Sequence, residues 1–132
     1  MNTIDFLKGK TLTKIDGEEG DGELFFFISD GDVLKMYHEK DCCESVYLED
    51  ICGDLDNLIG SPILVAEERT NRDDPPIDER YDESWTWTFY EISTLKGSVT
   101  LRWYGESNGY YSEDVDIEVF KPTGPIDVQH SR

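Results

Sequence analysis

The sequence has few cations and no long apolar run. Only 12 Lys and Arg stand against 30 Asp and Glu in 132 residues, which gives a formal net charge of -18. This imbalance opposes binding to nucleic acid or to an anionic membrane by simple attraction, and it favours a partner protein with a basic surface, or a cation. Acidity that serves solubility alone is the alternative explanation.

Membrane and secretion signals are also missing. No stretch reaches 18 apolar residues, and the start MNTIDFLKGK contains no apolar run of signal-peptide length. We therefore expect a cytoplasmic protein that does not interact with membranes.

Cysteine is scarce, with only Cys42, Cys43 and Cys52. Neighbouring residues on a strand point to opposite faces, so the adjacent pair predicts no disulfide framework. His38 and the three cysteines would supply four zinc ligands, but their spacing lacks the paired Cys-x-x-Cys of structural sites. We expect the cysteines to be small buried hydrophobes, with Cys52 on the parity of Val46 and Leu48.

Signatures of an enzyme are absent too. A thiol nucleophile would need His38 to face Cys42 or Cys43, and nothing nearby resembles a protease or phosphatase motif. There is no glycine-rich phosphate loop, and the acidic stretch 16–23 departs from the EF-hand pattern and is typical of a hairpin loop. The sequence predicts no enzyme activity, no cofactor and no metal.

Apolar residues alternate with polar ones along most of the chain, which predicts a mainly β or α+β fold. We expect antiparallel meanders in a twisted sheet or small sandwich, with short helical turns at 3–7 and 53–60. The Asp30-Gly31 dipeptide between two apolar runs predicts a tight hairpin. A single domain would span 1–120, with a loop at 70–82 and a loosely held tail at 121–132. The predicted strands are 10–15, 23–29, 32–39, 44–51, 62–68, 85–94, 99–105 and 110–120.

The last three predicted strands read as a meander with one apolar face. Alternation assigns nine residues to the core, namely Trp85, Trp87, Phe89, Val99, Leu101, Trp103, Val115, Ile117 and Val119. The opposite face would then carry Thr86, Thr88, Tyr90, Thr100, Arg102 and Tyr104 together with the acids of the last strand.

Carboxylates are concentrated in two places. Residues 41–60 contain six acids and no Lys or Arg, and the acids of 114–118 alternate on one strand face about 6.6 Å apart. That spacing is close to the separation of phosphates along a nucleic-acid strand, so the acids would suit a groove that normally binds DNA. The predicted partner-binding residues are Glu49, Asp50, Asp54, Asp56, Asp114, Asp116 and Glu118.

A second group of residues crowds the hairpin end at 102–113. Arginine among aromatic side chains is common in ligand pockets and interface anchors, although aromatic pairing across a hairpin explains it as well. The alternative ligand pocket would consist of Arg102, Trp103, Tyr104, Asn108, Tyr110 and Tyr111.

Two stretches, DCCESVYLEDICGDLDNLIGSPI (41–63) and SWTWTFYEISTLKGSVTLRWYGESNGYYSEDVD (84–116), carry a resemblance to a family of small acidic proteins from tailed bacteriophages and prophages. The resemblance implies a phage origin and the cytoplasm of an infected bacterium, and it supplies no activity, cofactor or site. We expect a non-enzymatic phage accessory protein that binds a host protein and inhibits a nucleic-acid-binding or defence factor. The alternative is a small-ligand binder, such as a sponge for a nucleotide-derived defence signal.

Overall fold

The computed structural model describes residues 3–40, 43–71, 77, 84–108 and 111–121. Its strands form two antiparallel sheets of four, and two 3-10 turns, Ile4–Leu7 and Leu55–Leu58, lie beside them. The predicted mainly β fold is therefore confirmed. The strands are β1 (Leu12–Asp16), β2 (Leu24–Ile28), β3 (Val33–Tyr37), β4 (Ser45–Cys52), β5 (Val65–Asn71), β6 (Ser84–Thr94), β7 (Gly97–Ser107) and β8 (Asp116–Phe120).

The first sheet has the strand order β1-β2-β3-β8. Its first three strands are the predicted N-terminal meander, and the turn at Asp30-Gly31 joins β2 to β3 as expected. Gly31 has a φ of +100°, a conformation that L side chains rarely adopt, which explains the glycine there.

The second sheet has the order β4-β7-β6-β5. Its centre is the hairpin of β6 and β7, whose eleven residues each pair over their full length, from Ser84 with Ser107 to Thr94 with Gly97. The predicted meander of the last three strands is wrong in its final member, because β8 pairs with β3 of the first sheet. In the connection from β7 to β8, the buried carboxylate of Glu113 is anchored to the second sheet by bonds from the Thr86 and Ser107 hydroxyls.

The assignment of the β6 face is also wrong. Thr86, Thr88, Tyr90 and Ile92 point into the core, whereas the predicted core residues Trp85, Trp87 and Phe89 lie on the opposite face. Trp87 is nevertheless buried there, against the ring of Tyr104. Residues directly opposite in an antiparallel pair share a face. The short turn at Leu95-Lys96 sets Thr88 opposite Trp103 and Tyr90 opposite Leu101. Pairing with β7 therefore decides which face of β6 points into the core, even though the other face carries more large apolar side chains.

The other six predicted core residues do contact the core. Val99, Leu101 and Trp103 are fully buried, and Val115, Ile117 and Val119 pack against it while half-buried. One hydrophobic cluster contains side chains from both sheets together with Ile4, Leu7, Leu58 and Ile63, so the two sheets share a single core.

The single domain at 1–120 stays a prediction, and of the predicted tail at 121–132 only Lys121 is among the described residues. Its Nζ donates to the carbonyl oxygen of Asp30 and lies 3.0 Å from Asp32 Oδ1. Within the described part of the chain, no helix has the length and apolar character that crossing a membrane requires.

Candidate functional site

Five exposed acids flank and fill the connection between β1 and β2. They are Asp16, Glu18, Glu19, Asp21 and Glu23, five of the eight residues at 16–23. The stretch connects two antiparallel strands, so the prediction of a hairpin loop is confirmed. The sequence analysis did not include these acids among the partner-binding residues.

This connection is fixed to β4, the edge strand of the second sheet. The Gly20 N–H donates to the Leu48 carbonyl at 2.7 Å, and the Leu48 N–H donates to the Asp21 carbonyl at 2.9 Å. Glu19 Oε2 accepts a third bond from the Ile51 N–H at 2.9 Å. We call the five acids of 16–23, together with Glu49 and Asp50 of β4, the acidic edge.

An open cleft lies along the acidic edge. It has a volume of about 420 Å³, and Asp16, Asp21, Glu23 and the ring of Phe25 line it. Carboxylates at the wall of a cleft raise the local concentration of cationic groups. The cleft would therefore accept a basic side chain from a partner.

Two of the predicted partner-binding acids are already paired with an arginine. Arg102 Nη2 lies 2.6 Å from Glu49 Oε1 and 3.7 Å from Asp50 Oδ2, and the Arg102 Nε–H also donates to Glu49. The hydrogen bond to Glu49 raises the pKa of Arg102. Arg102 thus neutralises part of their charge, and Glu49 and Asp50 contribute less negative charge to the surface than the loop acids beside them.

The next two predicted acids follow β4 directly. Asp54 precedes the 3-10 turn Leu55–Leu58, and its Oδ1 accepts a bond from the Asp56 N–H at 3.0 Å. Asp56 lies in the first turn, where a negative charge is favourable. Both side chains are exposed.

The remaining predicted acids, Asp114, Asp116 and Glu118, lie on or just before β8. This strand is at the opposite edge of the first sheet from β1, whereas the other four predicted acids lie on or after β4 of the second sheet. Asp116 Oδ2 accepts a bond from the Glu39 N–H at 2.8 Å. Burial and the Asp114 carboxylate raise the pKa of Glu68 on β5.

The residues of the predicted ligand pocket do not share one face of the sheet, because successive residues of β7 point to opposite faces. Trp103 is fully buried in the core, whereas Arg102 and Tyr104 point to the outer face. There the Tyr104 ring lies 4.5 Å from Trp87, and its hydroxyl accepts a bond from the Ile77 N–H. Tyr110 lies outside the described residues, Asn108 is exposed and Tyr111 is half-buried. The small-ligand function stays a prediction, and thermal-shift screening with nucleotides would test it.

The two described cysteines, Cys43 and Cys52, do not behave as buried hydrophobes. Cys52 is a free, exposed thiol, because the register shift between Leu48 and Asp50 reverses the parity of β4 beyond it. Cys43 is exposed and disulfide-bonded, which the parity argument did not predict, and Cys42 lies outside the described residues. Among the described residues, no group of three His, Cys, Asp or Glu side chains is arranged to hold a metal ion.

Sequence reasoning missed a buried pair of ionisable side chains at the end of β3. His38 Nε2 lies 2.8 Å from Glu44 Oε2, and His38 Nδ1 lies 2.8 Å from the Asp114 carbonyl oxygen. The two side chains are 4% and 0% exposed. They lie at the wall of a cleft of about 230 Å³ that is also lined by Gly22 and Glu23 of the acidic loop, residues 16–23.

A second buried carboxylate, Glu113, was missed as well. Its Oε1 accepts a bond from the Thr86 hydroxyl at 2.8 Å, and its Oε2 accepts one from the Ser107 hydroxyl at 2.5 Å. Gly105 permits this packing, because a Cβ there would lie 2.6 Å from the Glu113 carbonyl oxygen. In a sequence with 30 acids, no local pattern distinguishes Glu44 and Glu113 from exposed ones, so only the strand pairing reveals them.

A comparison with protein families matches residues 5–117 to the family described as Domain of unknown function (DUF7448). The chain belongs to the DUF7448 family. The match ends within β8, so it includes the acidic edge and both buried carboxylates. No curated protein and no solved structure matches the chain.

Most described cations of this DUF7448 domain are engaged by its own groups. Because these charges are satisfied internally, the surface field is dominated by the excess of acids. Lys8, Lys10, Lys35, Lys121 and Arg102 form ion pairs, Lys96 bonds to the Ile59 carbonyl, and Lys14 and Arg69 lie over the rings of Phe27 and Phe89.

Proposed function

We propose that this DUF7448 domain is a non-enzymatic bacteriophage accessory protein that binds a host protein with a basic surface through its acidic edge. It would act in the cytoplasm of the infected bacterium. The observation that carries the proposal is the attachment of the acidic loop to β4 at Leu48 and Ile51. These bonds hold the acids of 16–23 in place, so less conformational entropy is lost when a partner binds.

Charge supports a basic partner. With a net charge of -18 and most described cations paired internally, the domain attracts positive surfaces and repels nucleic acid. Complementary charge raises association rates and selects partners more than it adds raw affinity. A protein whose groove normally binds nucleic acid has the required basic surface, so we propose a nucleic-acid-binding or defence factor as the target.

The environment of His38 supports a non-enzymatic role. A general base needs a nitrogen that can reach a substrate proton. Here Nδ1 is bonded to the Asp114 carbonyl and Nε2 to Glu44, so neither nitrogen is available while these bonds persist.

The proposal is tested by three double variants that change the net charge equally. The edge variant is Asp16→Lys with Glu18→Lys, because neither carboxylate is among the anchoring groups named above. The control is Glu67→Lys with Glu91→Lys, two exposed residues that face each other across β5 and β6. The β8 variant is Asp114→Lys with Glu118→Lys.

Each variant is used to capture proteins from a lysate of the bacterial host. The edge variant should lose a protein that the wild type and the control retain. Loss in the β8 variant as well would extend the binding surface to β8, whereas full retention would restrict it to the acidic edge. Equal loss in the edge and control variants would mean that net charge alone determines capture, and retention by the edge variant would refute the proposed site.

A further inference from the structure

The face of the first sheet that points away from the core carries both aromatic rings and charges. Phe26 of β2 and Leu34 and Met36 of β3 are buried in the core, so their neighbours along each strand point to the opposite face. The rings on that face are half-buried, except that of Phe120, which is 38% exposed. We call it the outer face of the first sheet, and its residues are Lys14, Asp16, Phe25, Phe27, Lys35, Tyr37, Asp116, Glu118 and Phe120.

One row of residues crosses this face from edge to edge. Asp16 of β1 lies opposite Phe25 of β2, which lies opposite Lys35 of β3. Lys35 in turn lies opposite Glu118 of β8, and directly opposite residues share a face. Because neighbouring strands are about 4.8 Å apart, the two ends of the row are separated by about 14 Å. The row therefore connects the acidic loop with the acids of β8 across a strip of aromatic rings.

A lysine of the chain shows which chemical group these rings accept. Lys35 Nζ lies 4.4 Å from the ring centroid of Tyr37 and 6.0 Å from that of Phe25, within the range of a cation–π contact. Its carboxylate partner is Glu23, with 3.4 Å between Nζ and Oε2. A cation on this face thus meets a ring and a carboxylate at the same time.

Acids outnumber cations on and around this face. Among its described residues two are lysines, Lys35 and Lys14, and Lys14 Nζ lies 5.3 Å from the ring centroid of Phe27. A second copy of this chain, with its net charge of -18, would be repelled, whereas a basic segment of another protein would be attracted. The carboxylates at the two borders are those of Asp16, Glu23, Asp116 and Glu118.

The open cleft at the loop border favours arginine over lysine. The Phe25 ring lines this cleft beside the carboxylates of Asp16, Asp21 and Glu23. A guanidinium group is planar, so it stacks on a ring and donates paired hydrogen bonds to a carboxylate, whereas an ammonium group acts as a point charge. A ring and carboxylates that line one cleft therefore suit a guanidinium group better.

We propose that the outer face of the first sheet binds an arginine-rich segment of the basic partner, with one arginine in the cleft beside Phe25 and another at the acids of β8. Arginines four residues apart in an extended segment are about 13 Å apart and lie on one side, which matches the width of the face. This inference rests on the proposed function and deepens it, because it extends the contact surface from the acidic edge to β8 and specifies the side chain that the partner presents.

The test uses two capped peptides, one of alternating Arg and Gly and one of alternating Lys and Gly, equal in length and charge. NMR titration of the domain at low salt measures both affinities. The arginine peptide should bind about threefold more tightly than the lysine peptide, or better, since stacking on the rings adds to the shared attraction. It should shift the amide signals of Phe25, Lys35 and Glu118, which lie in the row across the sheet.

Two pairs of variants separate this face from general charge attraction. Phe25→Leu removes the ring and no charge, so it should abolish the preference for arginine, whereas Phe89→Leu should retain it. Phe89 is a matched control, because its ring is also half-buried and lies under Arg69 on the second sheet. Glu118→Gln should weaken binding of the arginine peptide about twofold, and Glu91→Gln, the same change at an exposed site on β6, should not.

Several outcomes would overturn the inference. They are equal affinities of the two peptides, binding of neither, and amide shifts confined to 16–23 with no effect of Glu118→Gln. In each case the proposed function would still stand if the acidic edge is required for capture of a host protein, because that experiment depends on the loop acids alone. Should Phe25→Leu fail to fold, the two peptides on the wild type and Glu118→Gln still decide the matter.

Discussion

The carboxylates of the acidic edge and the two buried carboxylates, Glu44 and Glu113, occupy opposite environments in one small domain. The five loop acids of the edge are exposed to water, where salt screens their repulsion, and its other two acids, Glu49 and Asp50, are half-buried beside Arg102. Each buried acid has dedicated donors, His38 for Glu44 and two hydroxyls for Glu113. The comparison shows that the position of an acid determines its role, because exposed acids set the external field while buried ones hold strands and connections together.

The largest loss of stability should follow Glu113→Ala. The substitution leaves the hydroxyls of Thr86 and Ser107 without their charged acceptor and removes a buried side chain, so we expect a loss of about 3 kcal/mol in the free energy of unfolding. Urea denaturation measures it. Glu118→Ala, at an exposed position on β8, is the matched control and should change stability by less than about 0.5 kcal/mol. Similar losses for the two substitutions would contradict the distinction between buried, hydrogen-bonded acids and exposed ones.

Gly105→Ala should have the next largest effect. The new Cβ would lie 2.6 Å from the Glu113 carbonyl oxygen and 3.2 Å from Val46 Cγ2, so the segment carrying Glu113 must move. Overpacking of this kind costs about 2 kcal/mol. Gly22→Ala, where a Cβ would meet nothing within 4 Å, is the control and should be close to wild type in the same urea titration. An unaffected Gly105→Ala would show that the Glu113 segment is not held against β7.

A smaller effect is expected for Arg102→Met, which retains the length of the side chain and removes the charge. Arg102 pairs with Glu49 and lies 5.2 Å from the Trp87 ring, but its side chain is 40% exposed. Ion pairs of this exposure contribute about 1 kcal/mol or less, and the loss should shrink at high salt. Urea titrations at low and high salt would test both statements, and a salt-independent loss would assign the contribution to packing.

Exposed acids should have the smallest effect of all. Glu18→Gln should change the free energy of unfolding by less than about 0.5 kcal/mol, because the side chain is exposed and one charge of repulsion is removed. Added salt should stabilise the wild type by a few degrees, since it screens the repulsion within a domain of net charge -18. Thermal unfolding at several salt concentrations measures both. Destabilisation by salt would mean that internal ion pairs outweigh repulsion.

Local signals in the sequence were enough for most strands and for the turn at Asp30-Gly31, since alternation and the turn dipeptide depend only on neighbouring residues. The last strand is Asp116–Phe120, shorter than the predicted 110–120. Local signals failed where pairing between strands decides. The register of β6 against β7 placed Tyr90 in the core and Trp87 on the opposite face, and the irregularity after Leu48 exposed Cys52. β8 pairs with β3 and not with β7, and no local pattern in the sequence distinguishes these two partners.

The candidate site was predicted in part for the same reason. Counting charges along the chain predicted Glu49 and Asp50 of the acidic edge, together with Asp54 and Asp56, which lie outside it. The loop acids of 16–23 acquire their place beside β4 only through the backbone bonds of Gly20 and Asp21 with Leu48. His38 and Glu44 were visible as residue types, but their burial and mutual contact depend on the packing of two sheets.

The most direct test of the central claim is the salt dependence of partner capture, measured in parallel for the wild type, the Asp16→Lys/Glu18→Lys variant and the Glu67→Lys/Glu91→Lys control. If the acidic edge binds a basic surface, the wild type and the control should retain the same host protein at about 50 mM NaCl and release it by about 500 mM, where the Debye length is only a few ångströms. The edge variant should not retain that protein at either concentration. A host protein that stays bound to the edge variant, or that remains on the wild type at high salt, would contradict the account.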